Sequence, residues 1–111
     1  MPNFLKQYPT DPTTNYRVNL DTPLTQAGVY WFEVAGWDKI SLHIEIDGTA
    51  TVQVLKSNKP APIATTDGIQ DGTSEYTQNA WVDIKNTARF IGINVVSISA
   101  GSSVNVWVEA V

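Results

Sequence analysis

The sequence predicts an all-β chain: an antiparallel β-sandwich, jelly-roll-like, over residues 28–111, preceded by an extended arm over residues 1–27. Three observations carry this expectation. Ile40, Leu42, Ile44 and Ile46 alternate with Ser41, His43, Glu45 and Asp47, the period-2 pattern of a strand with one dry face and one wet face. Short runs of the same kind recur along the chain, separated by Gly, Pro, Asn and Asp. Nowhere do apolar residues recur at helical spacing over a useful length.

In chain order, Pro2, Pro9, Pro12 and Pro23 fix φ and remove backbone donors, so residues 1–27 read as an arm, disordered or laid against another surface. Within it, Tyr16–Leu20 is a short strand with Tyr16, Val18 and Leu20 on one face. The aromatic and β-branched stretch 29–37 reads as a strand buried on both faces, or with its outer face against a partner. Asp47-Gly48 supplies residues that tolerate φ > 0, and predicts a β-hairpin joining 39–47 to Thr49–Leu55. Lys56–Pro62 reads as a polar loop, Ile63–Thr66 as a brief pairing segment, and 67–74 as a long exposed loop. In Ala80–Lys85, Ala80, Val82 and Ile84 share a face opposite Trp81, Asp83 and Lys85. Asn86–Ala88 turns the chain. In 90–99 the apolar phase slips by one between Val95 and Val96, the mark of a bulge or corner. After a turn at Ala100–Ser102, the last strand directs Val104, Val106 and Val108 inward.

With 111 residues the chain forms one domain able to bury a single core. It has no cysteine, hence no disulfide framework, thiolate metal site or cysteine nucleophile. Eleven acidic against seven basic side chains give a net charge of −4, which argues against nucleic-acid binding. No apolar stretch approaches the ~20 residues of a membrane span, so no membrane partner is expected. No signal-peptide pattern opens the chain, which is expected to remain in the compartment where it is made.

Groups with chemical potential are few. His43 is the sole histidine, on the wet face of its strand with Ser41 and Glu45 two residues to either side. Such neighbours lie ~7 Å apart, and no oxyanion pocket accompanies them, so they read as a polar sheet face rather than a catalytic relay. Asp67, Asp71 and Glu75 suit calcium chemistry, but their spacing matches no EF-hand and Asp-Gly turns explain two of them. No catalytic residue, metal or cofactor is assigned.

Tryptophans say more. Trp81 and Trp107 alternate out of phase with inward-facing valines and isoleucine, so both belong to outer sheet faces, whereas Trp31 and Trp37 read as core. A Trp ring buries ~150–250 Å² when covered, worth up to ~4–6 kcal/mol. Two rings outside therefore imply a cover: the arm, another subunit, or a stacked sugar. Trp81 and Trp107 are the candidate interface or ligand-stacking residues.

The order of features, from Gly36-Trp37 through the Asp47-Gly48 turn and Val52–Leu55, the Asp-Gly loop at 67–72, the strand at 90–98 and the closing Ala-Gly-Ser-Ser-Val-Asn-Val-Trp-Val, resembles the small β-sandwich proteins of phage virions. These are head-fibre, decoration or tail-associated jelly rolls, and the resemblance spans residues 28–111. It implies a non-enzymatic structural or attachment component of a virion, assembled in the bacterial cytoplasm as a homo-oligomer, with a trimer favoured. It also implies that residues 1–27 dock on other virion proteins and that Trp81 and Trp107 are subunit contacts. The alternative is a carbohydrate-binding module using the same surface tryptophans, with host glycan as its ligand.

Overall fold

A computed structural model of the chain describes residues 5–9, 16–20, 23–85 and 88–110, with the backbone path alone at 5–9, 16–20 and 110. The described residues form nine strands: β1 (Leu5–Pro9), β2 (Tyr16–Leu20), β3 (Gly28–Glu33), β4 (Lys39–Asp47), β5 (Ala50–Ser57), β6 (Ile69–Gln70), β7 (Ala80–Lys85), β8 (Phe90–Ile98) and β9 (Ser103–Ala110). A 3-10 turn spans Thr65–Asp67, and no described helix is long and apolar enough to cross a membrane.

The strands build two antiparallel sheets, in the orders β1-β2-β9-β4-β7 and β3-β8-β5-β6. Apart from β1–β2 and β5–β6, every connection crosses from one sheet to the other. With β1 set aside, this is the order of an eight-stranded jelly roll.

Period-2 alternation builds the core. Ile40, Leu42 and Ile44 of β4, Val82 and Ile84 of β7, and Val104, Val106 and Val108 of β9 face inward from the first sheet. Tyr30 and Phe32 of β3, Val52 and Val54 of β5, and Ile91, Ile93 and Val95 of β8 meet them from the second. Leu24 closes one end through paired backbone hydrogen bonds with Val104, of 2.8 and 2.9 Å.

The expected hairpin at Asp47-Gly48 is not a hairpin. β4 pairs with β7 and β9, whereas β5 pairs with β6 and β8, so the turn carries the chain across the sandwich. Gly48 does adopt φ +95°, and the Thr49 N–H donates to Ser102 Oγ at 2.8 Å, tying this arch to the β8–β9 turn. Alternation identifies each strand's dry face but not its neighbour, and two dry faces satisfy each other across a core as well as within one sheet. The stretch 29–37 is likewise shorter as a strand: β3 ends at Glu33, and Trp37 N–H closes a turn onto Val34 O. Ile63–Thr66 forms no strand; the 3-10 turn begins there, and the pairing falls on Ile69–Gln70.

The phase slip in β8 is a bulge. Thr51 faces Ser97 while Val52 faces Val95, leaving Val96 as the extra residue, turned to solvent. Within the proposed arm, β1 and β2 add to the five-stranded sheet beside β9, in its plane. The turn expected at Asn86–Ala88 falls partly outside the described residues, as do 1–4, 10–15 and 21–22 of the arm.

Candidate functional site

The outer face of the five-stranded sheet carries the site. Strand β4 lies between β9 and β7, and at one level of the ladder His43 stands opposite both Trp107 and Trp81. Because Val82, Ile84, Val106 and Val108 point into the core, alternation forces Trp81 and Trp107 outward. The result is one row of three rings across three strands. The His43 ring centroid lies 5.8 Å from that of Trp81 and 5.1 Å from that of Trp107, with planes tilted by 38° and 42°. Trp81 is 65% exposed and Trp107 39%.

Carboxylates hold the polar edges of two of these rings. His43 Nε2 stands 3.3 Å from Glu45 Oε1, and the Trp81 indole N–H donates to Asp83 Oδ1 at 3.1 Å. Each carboxylate lies two residues further along the same strand, so alternation puts ring and acid on one face. Ser41 does not join them; its hydroxyl donates to the Glu109 carbonyl at 3.5 Å. Two members of a relay therefore meet while the nucleophile position is engaged with backbone. At one end of this face Lys39 stands directly opposite Lys85, and neither has an anionic partner among the described residues. At the other end lie Glu45 and Asp47, opposite Asn105 and Ser103.

The acidic loop residues point to three separate partners. Asp67 accepts the Ile63 and Ala64 N–H groups at 2.8 Å each and pairs with Lys59 at 3.1 Å. Those donors hold its carboxyl down at about 2, the Ala64 and Ile63 amides foremost and the Lys59 ammonium after them. Asp71 pairs with Lys56 at 3.1 Å, and Glu75 accepts from Gln53 Nε2 at 2.8 Å. Among the described residues, no three His, Asp or Glu side chains gather as a metal set. A cleft of about 710 Å³ opens beside this segment, but Lys56 and Lys59 on its wall are the lysines already paired with Asp71 and Asp67.

Trp37 packs partly buried against the core, as expected, but Trp31 does not. It projects from the opposite face of β3, over Gly92 and under Gly68, where Leu55 is also buried. Sequence reasoning found Trp81 and Trp107 on outer faces but gave His43 no part with them. Their meeting follows from strand order alone, which no local pattern encodes.

Fold and surface together define the class: an antiparallel β-sandwich in jelly-roll order, with an exposed aromatic row on one sheet. The crystal structure of SPBc2 prophage-derived protein YomS shares that fold with a TM-score of 0.58 over 88% of this chain and 95% of the other, at 13% sequence identity. Identity at that level speaks for the fold alone. No protein-family model matches the chain, and no curated protein matches it in sequence.

Proposed function

We propose that the protein is a non-enzymatic structural or attachment component of a phage virion, of the decoration, head-fibre or tail-associated kind, assembling as a homo-oligomer. The observation that carries this reading is the exposed Trp81–His43–Trp107 row. An aromatic surface of this kind favours contact with a partner, because aromatic side chains dominate interface energetics. The two described arm strands extend the sheet beyond β9 rather than lying over the rings, which supports an external cover. Likeness of fold to a prophage-derived protein supports the phage setting. In this reading the segment 1–27 contacts other virion proteins, and the assembled particle is where the protein resides.

Light scattering after size-exclusion chromatography tests it, on the full chain and on Trp81→Ala with Trp107→Ala. A multiple of 12.2 kDa that falls toward the monomer in the double variant supports the reading. A monomer at every concentration sinks it. Quenching of Trp fluorescence by oligosaccharides at constant mass would instead support the carbohydrate-binding module.

A further inference from the structure

Among the described residues, strand β7 is the free margin of the five-stranded sheet: it pairs with β4 on one side only. The other sheet margins are blunted. β1 ends in Pro9, β6 has two residues, and β3 starts at Gly28 with φ +147° and has Trp31 packed beneath Gly68. β7 has six residues, without proline, glycine, bulge or inward charge; of the devices that keep a margin from pairing it carries only the outward Asp83 and Lys85.

We infer that β7 is an assembly edge at which two copies of this chain pair antiparallel about a two-fold axis, joining their five-stranded sheets. This rests on the homo-oligomer reading above and gives it two-fold rather than three-fold order; Trp81 joins at the edge, while Trp107, two strands away on the outer face, is not covered by it. Inward residues must face inward residues, so a two-fold register centres on a single residue of β7. Centring on Asp83 sets two carboxylates directly opposite, which is unfavourable. Centring on Val82 sets Val82 against Val82, Ala80 against Ile84, and Trp81 against Asp83 of the second copy. Trp81 already donates its indole N–H to an Asp83 carboxylate within its own strand, so the chemistry of that pairing is present on the surface.

Charge favours the same register. One step beyond the Ile44–Ala80 pair, Asn79 lies beside Glu45, and its side chain accepts the Ile46 N–H at 2.8 Å. With Val82 at the axis, Lys85 of each copy comes opposite Asn79 of the other, two strands (about 10 Å) from that copy's Glu45. The Lys39–Lys85 end of one sheet thus meets the Glu45–Asp47 end of its mate. Within one protomer those two lysines repel; the pairing brings Lys85 within side-chain reach of an anion.

Lys85→Glu separates assembly from folding because it acts on them with opposite sign. In the protomer, a glutamate opposite Lys39 replaces a like-charged pair and raises the unfolding temperature. In the pair it brings a second carboxylate within about 10 Å of Glu45 at two symmetric places and weakens the dimer by about two- to fivefold. Adding Glu45→Lys restores the pairing. Sedimentation equilibrium on the full chain is expected to give twice 12.2 kDa, with that loss and that rescue. A two-copy mass indifferent to Lys85→Glu overturns the β7 edge while leaving the homo-oligomer reading intact, as does a three-copy mass. A monomer at every concentration overturns both.

Discussion

A methyl group added at Gly92 would stand 2.7 Å from Cε3 of Trp31. The two residues face each other across β3 and β8, and the indole occupies the space that any side chain at 92 would need. Gly68 stands as close to the far edge of the ring, where an added carbon would meet Cη2 at 2.6 Å. Gly92→Ala is therefore expected to cost about 1–3 kcal/mol by urea unfolding, as overpacking does. A variant as stable as the parent would show that the ring moves aside freely.

Two large side chains, one in the core and one on the outer face, should respond differently to truncation. Ile93 is fully buried, so Ile93→Ala should lose about 2–5 kcal/mol through lost transfer energy and a cavity. Trp81, at 65% exposed, should change stability by less than about 1 kcal/mol when replaced by Ala in the monomer. Chemical denaturation at low protein concentration measures both. A Trp81→Ala loss equal to that of Ile93→Ala would mean that the ring is covered within the protomer.

His43 lies in ring contact with both Trp81 and Trp107. Aromatic rings packed this closely perturb one another's emission. His43→Ala is therefore expected to change the intensity and wavelength of tryptophan fluorescence at constant pH. Identical spectra in the two proteins would show that the three rings do not meet in solution.

Asp67 ties the 3-10 turn to Ile63, Ala64 and Lys59. Its folded carboxyl lies at about 2, below the ordinary 3.8, so its contribution to stability is present above pH 3.8 and is lost as the pH falls through about 2. The Ile63 and Ala64 amide resonances should report this titration near pH 2. Asp67→Asn should abolish it, while leaving those of the β4–β9 ladder in place. Amides that titrate near 4 instead would show that these bonds do not hold in solution.

What the sequence made legible was most of what alternation sets. The inward faces of β4, β7 and β9, the outward Trp81 and Trp107, and the bulge at Val96 all follow from which residues repeat every second position. What it hid was every choice set by partnership. Asp47-Gly48 has the chemistry of a hairpin turn, but Ser102 and the opposing sheet take it over as an arch. Trp31 sits in an apolar stretch that looks like core, yet alternation with the buried Tyr30 and Phe32 sends it to the other face, where two glycines make room for it. For the same reason the meeting of His43 with its tryptophans needed the strand order, because the three residues are distant along the chain.

The place of β9 has a consequence for how the protein comes into being. It is the last of the described strands, yet it stands between β2 and β4 near the middle of its sheet. Until it emerges from the ribosome, the hairpin of β1 and β2 has no strand to join, and β4 exposes one whole margin along with Ile40, Leu42 and Ile44. Non-local pairing of this sort is slow, on the order of milliseconds to seconds. The nascent sheet thus stays open and sticky until β9 is made, and its core can close only then.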